Sequence, residues 1–167
     1  MPETRVAVDT NFLMNLARPQ DTVLDSLDVI RSRVRGAQIL ITPTTLDELG
    51  DKEQRDPDPE TRALARRALA GLRTWRVVAA ELNDVESIVA RNIANELLDQ
   101  RIIPASERND ALILAEAAML DCQLLVSGDS DLRDADPARL ALVLREAHAP
   151  MVVVRRPDEI VRLFTGR

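Results

Sequence analysis

Four short runs of the chain, at 5–8, 38–41, 124–126 and 151–154, are apolar apart from the opening Arg5 and Gln38, and are bounded by turn-forming or charged residues. Runs this short and this uniformly apolar predict strands covered on both faces, and therefore a parallel sheet. Between them the apolar positions recur at helical spacing. Phe12, Leu13 and Leu16 mark a helix that opens at Asp9-Thr10-Asn11 and stops before Pro19. Val23, Leu27, Ile30 and Val34 mark a second over 22–35, with Gly36 as its terminator. Thr42-Pro43-Thr44-Thr45 has turn and N-cap chemistry, which puts Leu46-Asp47-Glu48-Leu49 in the first turn of the next helix. The charged stretch 51–59, with its two prolines, reads as a loop. Leu64, Ala68 and Leu72 mark a helix over 60–75, and 75–78 reads as extended. Asn83 and Glu86 have the spacing of a capping box ahead of the stripe Val85, Ile88, Val89, Ile93 and Leu97. Ser106 is the expected cap of a helix ending near Leu120, and helices over 137–147 and 158–164 complete the set.

Strands separated by helices imply right-handed crossovers and a three-layer α/β/α sandwich around a central parallel sheet. A chain of 167 residues suits one domain spanning 1–167. The stretch 51–101, two helices between the second and third predicted strands, is expected to project from the sheet as an arm.

Composition narrows the chemistry. Aromatic residues make up only 2% of the chain, so the core is built from Leu, Val, Ile and Ala, and stacking platforms for bases are nearly absent. The net charge of −6 argues against a large non-specific nucleic-acid surface, though not against a local basic rim. Lys52 is the sole lysine, so almost all positive charge is the bidentate guanidinium of arginine. Arg62, Arg66, Arg67, Arg73 and Arg76 fall on one stretch and read first as a solvated helix face. With one cysteine, Cys122, and one histidine, His148, neither an internal disulfide nor a Cys/His metal site can form. No secretory leader and no membrane-length apolar window is present, so a cytoplasmic protein is expected.

The acids are the informative residues. Asp9 directly follows the first apolar run, and Asp129 follows the run 124–126 across Ser127-Gly128. In open α/β sheets, chemistry collects at the carboxyl ends of the strands. Glu48 and Asp110 fall in the first turns of helices, where they can reach toward the same place. Taken singly, each has a structural role available: a helix cap for Asp9, a turn residue for Asp129, a helix-dipole partner for Glu48 and Asp110. Taken together they are expensive, because two carboxylates ~5 Å apart repel by about 3 kcal/mol at an effective dielectric of 20. A shared Mg²⁺ or Mn²⁺ would neutralise them, with Asp131 as a further ligand and Thr10, Asn11 and Ser127 as supporting polar groups. Raised carboxylate pKa values are expected without the metal. Phosphodiester hydrolysis fits such a set. A haloacid-dehalogenase phosphatase needs an aspartate where Asn11 stands, and a receiver domain needs a late-strand lysine that Lys52 does not supply. A structure-specific DNA nuclease, or a non-catalytic scaffold binding RNA or protein, remains open on the residues alone.

The chain resembles the PIN-domain family of metal-dependent nucleases. The resemblance is carried by Val6-Ala7-Val8-Asp9-Thr10-Asn11, the threonine-rich turn leading to Glu48-Leu49, Asn109-Asp110, and Leu125-Val126-Ser127-Gly128-Asp129-Ser130-Asp131-Leu132, with Val152-Val153-Val154 and Arg156-Pro157-Asp158-Glu159 at the end. It implies cleavage of single-stranded RNA, with Asp9, Glu48, Asp110 and Asp129 as the acidic quartet and Asp131, Thr10 or Asn11 in support. It also implies a VapC-like toxin that pairs with an antitoxin protein and forms a homodimer. Two features depart from the family: Leu132 stands where an aromatic is usual, and the helix over 137–147 is additional.

Overall fold

The first apolar run forms strand β1 (Arg5–Val8), and its alternation divides the core. Val6 and Val8 join one cluster with Phe12, Leu13, Ile30 and Leu49, while Ala7 joins the other with Leu97, Ile113, Leu114 and Leu125. Successive strand side chains point to opposite faces, so a strand covered on both sides must be apolar at every position. The computed structural model describes residues 3–18 and 20–166.

In chain order the remaining elements are α1 (Thr10–Ala17), α2 (Asp21–Arg33), β2 (Gln38–Ile41), α3 (Pro43–Arg55), α4 (Pro59–Gly71), β3 (Val77–Ala79), α5 (Asp84–Asp99), α6 (Arg108–Met119), β4 (Cys122–Val126), α7 (Ser130–Arg133), α8 (Pro137–Glu146), β5 (Val153–Arg155) and α9 (Pro157–Thr165). All strand pairings are parallel, in the order β3-β2-β1-β4-β5. The three-layer α/β/α sandwich is therefore as expected. The chain runs from β1 through β2 to β3 at one edge, then returns to the other side of β1 for β4 and β5. Strand order reverses between β1 and β4, and the crevice at their carboxyl ends is where such sheets bind ligands.

Several expectations need correction. The stretch 51–101 does not stand off as an arm. It lays down the edge strand β3 against β2, and its helices bury Leu64, Ala65 and Ala68 on one side and Ala90, Ile93, Ala94 and Leu97 on the other. The residues 51–55, read as loop, continue α3, because Lys, Glu, Gln and Arg are good helix formers. Only Asp56-Pro57-Asp58 interrupts the helices, where proline blocks continuation and Asp58 then caps α4. Helix α4 ends at Gly71, short of Trp75. The Trp75 ring lies against Gly71 so closely that a Cβ there would come within 2.5 Å of it. Ser106 is not the cap of α6; Glu107 holds that position without a side-chain bond. The last strand begins at Val153 rather than at 151.

Other details agree with expectation. Asn83 and Glu86 form the capping box, and Gly36 adopts a left-handed conformation after α2. Helix α1 ends at Ala17, while Pro19 lies outside the described residues. Among the described residues no helix is long and apolar enough to cross a membrane.

Candidate functional site

Asp9 ends β1 and starts α1. Its Oδ1 accepts the Phe12 backbone N–H (2.8 Å), and its Oδ2 accepts the Ser127 hydroxyl. It is therefore an N-cap, as its structural role required, but one only 4% exposed. Burial pushes its pKa up to about 6, against the Ser127 and Phe12 hydrogen bonds that pull it down; the charges of Asp129 and Glu48 push it further up. Asparagine or serine would cap α1 equally well without that cost. The carboxylate is thus unfavourable where it stands unless something positive joins it.

Ser127 ties the two strand ends together. Its N–H donates to the Arg155 carbonyl (3.0 Å), and its buried hydroxyl, which donates to Asp9, accepts the N–H of Asp129 (3.0 Å). Asp129 then caps α7 by accepting the Asp131 N–H at 2.7 Å. Glu48, one turn into α3, is gripped from both sides. Its Oε2 accepts the buried Thr10 hydroxyl on α1, and its Oε1 accepts the Asn109 amide on α6 at 2.8 Å. Asp110 has no such support. Its Oδ2 is buried with no hydrogen-bond partner. Burial, followed by the charges of Asp129, Asp9, Glu107 and Glu48, pushes its pKa up to about 7. A buried carboxylate oxygen without a donor calls for a specific explanation.

Asp9, Glu48, Asp110 and Asp129 line one pocket of about 190 Å³, together with Thr10, Asn11, Lys52, Glu107 and Ile113. The quartet, drawn from β1, α3, α6 and the β4–α7 turn, meets at the strand-order reversal. Two of the supporting residues, Thr10 and Asn11, are in the pocket wall; Ser127 lies beneath it. Asp131, expected as a ligand, is not in that wall. It is linked through its N–H to Asp129, and burial followed by the charges of Asp129, Glu107 and Asp134 raises its pKa. Among the described residues no group of three or more His, Cys, Asp or Glu side chains is arranged to close on a metal ion.

No known protein family and no curated protein matches the chain by sequence. Solved structures do match by shape. VapBC2 from Rickettsia felis, bound to a DNA fragment from their promoter, aligns over 92% of this chain and 98% of its own, with 14% identity and a TM-score of 0.61. VapBC-1 from nontypeable Haemophilus influenzae aligns over the same shares of the two chains at 16% identity and a TM-score of 0.59. VapBC-5 from Mycobacterium tuberculosis, a member of the VapBC family of toxin–antitoxin systems, does so at 16% identity and 0.56. The chain has a PIN-domain fold.

In this PIN fold the donor set fits a hard divalent cation. The pocket offers carboxylates, a hydroxyl, an amide and one lysine but no thiol or imidazole, Asp110 with its orphaned oxygen shares it with four further carboxylates, and Mg²⁺ uses one or two carboxylates plus waters rather than a closed protein cage. Alternative nucleophiles are not built. Cys122 is buried, which pushes its thiol up to about 12, and His148 is exposed in the turn after α8. The arginines of α4 are largely engaged elsewhere: Arg62 donates to the Asp56 and Pro57 carbonyls, and Arg66 pairs with Glu53 at 3.2 Å.

Three residues at the site have no site role on sequence alone: Glu107, a fifth carboxylate in the pocket wall, Glu116 and Lys52. Glu116, buried on α6, accepts both the N–H (3.0 Å) and the hydroxyl (2.8 Å) of Thr44 at the start of α3. It clamps α3 to α6, the helices that carry Glu48 and Asp110. Lys52 lies in the pocket wall one turn beyond Glu48. Nothing in the local sequence announces the Thr44–Glu116 pair, 72 residues apart.

Proposed function

We propose that this protein is a Mg²⁺- or Mn²⁺-dependent endoribonuclease that cleaves single-stranded RNA, and that it is the toxin half of a toxin–antitoxin pair, acting in the cytoplasm as a homodimer. The observation that carries the nuclease reading is the unpartnered, buried Asp110 oxygen in a pocket shared with Asp9, Glu48 and Asp129. The antitoxin partner is supported by the VapBC neighbours, each described as a toxin–antitoxin complex or a VapBC pair.

Asp9, Glu48, Asp110 and Asp129 would hold the cation. When bound, it supplies charge compensation for the phosphate and a water of lowered pKa. The chain's own residues do the rest. Thr10 and Asn109 fix the Glu48 carboxylate, and Ser127 fixes Asp9 relative to Asp129. Asn11, exposed at the pocket mouth, is placed to orient the attacking water or a non-bridging oxygen. Asp110, raised to about 7, is partly protonated at neutral pH, and Asp9, raised to about 6, becomes so in mild acid; both would release protons as a cation enters the pocket.

Cleavage of single-stranded RNA by the wild type and by Asp9→Asn and Asp129→Asn tests the reading. Each substitution is expected to lower the rate at least about 100-fold with the fold retained by circular dichroism. Full activity in Asp9→Asn would refute the assignment. Preference for flapped DNA over RNA would redirect it to a structure-specific nuclease.

A further inference from the structure

Of the 22 basic side chains, one is a lysine, and that one lines the acidic pocket. Lys52 follows Glu48 by one turn of α3, so the two share a helix face. Two roles are available to it. A structural counter-ion would pair with the carboxylates. Among the described residues, however, Lys52 is in no ion pair. Its acidic neighbours on α3 are already taken, Asp51 by Arg55 (3.8 Å) and Glu53 by Arg66 (3.2 Å). Lys52 therefore lines the pocket without an ion pair to any of its acids.

The second role is to meet a ligand. A half-buried lysine in the wall of an acidic pocket, in no ion pair among the described residues, suits an anion brought up against the acids. Lysine suits a phosphate in particular, because a compact charge on a flexible stem follows a tetrahedral group without the fixed bidentate geometry of arginine. We infer that Lys52 is a substrate-contacting residue whose ammonium engages a backbone phosphate of the single-stranded RNA at the pocket. It sets affinity for the nucleic acid and leaves metal loading to the acids. This rests on the nuclease reading above.

The test compares wild type, Lys52→Ala and Lys52→Arg in the full chain. Mn²⁺ affinity is read by calorimetry, and single-stranded RNA cleavage is read across a KCl series. Lys52→Ala is expected to raise KM roughly 10-fold with kcat nearly unchanged, and to reduce the salt slope by about 0.7, the loss of one phosphate contact on a single strand. Mn²⁺ affinity should not change, and Lys52→Arg should recover most of KM. An active wild type whose KM and salt slope survive Lys52→Ala overturns this inference alone. So does a changed Mn²⁺ affinity, which would make Lys52 a partner of the acids. A wild type that cleaves no RNA overturns the nuclease reading, and this inference with it.

Discussion

Asp9 and Asp58 do the same local job in two regions of the molecule, and their electrostatics are opposite. Each is the N-cap of a helix. Asp58, at the exposed start of α4, accepts from the Thr61 hydroxyl (2.7 Å) and from the N–H groups of Glu60 (3.2 Å) and Thr61 (3.1 Å). Those bonds hold its carboxyl below the usual range. Asp9, at the carboxyl end of β1, also caps its helix, yet burial lifts it to about 6. Capping therefore accounts for Asp58 and does not account for Asp9. What separates them is burial first and company second: Asp58 faces water, and Asp9 is buried in a pocket it shares with Glu48, Glu107, Asp110 and Asp129.

The largest expected contrast is in activity. Asp9→Asn should abolish metal-dependent cleavage while keeping the cap, whereas Asp58→Ala should leave the rate unchanged and lower Tm by about 2–4 °C. Equal effects at the two positions, in rate or in Tm, would erase the distinction.

The pH dependence of stability sharpens the same contrast. For Asp9 and Asp110 the folded-state pKa lies above the ordinary 3.8, at about 6 and about 7. Between those values the folded chain binds more protons than the unfolded one, so stability is fully present below the unfolded pKa and is lost as pH rises through the folded ones. Asp9 alone corresponds to roughly 3 kcal/mol over that window. Asp58, lowered, runs the other way: its contribution is present at neutral pH and fades in acid. Denaturant melts of metal-free protein between pH 4 and 8 should show the falling limb, and saturating Mn²⁺ or Asp9→Asn should flatten it. A metal-free protein whose stability climbs steadily across that window would contradict the shifts.

A smaller effect is expected from the clamp beneath the site. Glu116→Ala should cost about 1–3 kcal/mol through the lost Thr44 bonds, and should weaken Mn²⁺ binding roughly 10-fold by releasing α3 from α6. Glu116→Gln keeps an acceptor for the Thr44 N–H and should recover most of both. Stability loss with unchanged Mn²⁺ affinity would mark Glu116 as a packing residue only.

Much of this was legible in the sequence because it depends on strand ends. Short apolar runs betray a parallel sheet, and an acid that follows such a run is carried to its carboxyl edge, which is how Asp9 and Asp129 can be paired across 120 residues. Asp110 was legible as a first-turn acid, while Glu48, expected in a first turn too, stands one turn into α3 because that helix starts at Pro43. The strand Val77–Ala79 was half visible: three residues with one buried position carry little periodicity. Asp131 does not line the pocket; it meets the site through its N–H, which holds the Asp129 carboxylate. Lys52 was set aside because 51–55 was expected to be loop and is instead the end of α3, and only a helix puts residue 52 beside residue 48. Glu116 reads as one polar interruption of an apolar helix until its partner on another element is known.

The claim on which the rest depends is that four acids share one divalent cation, and calorimetric titration with Mn²⁺ near pH 6 addresses it most directly. In buffers of different ionisation enthalpy, the wild type should bind with release of protons from Asp9 and Asp110, and Asp9→Asn should lose both the binding and the release. No heat at millimolar Mn²⁺, or binding by Asp9→Asn indistinguishable from wild type, would contradict it.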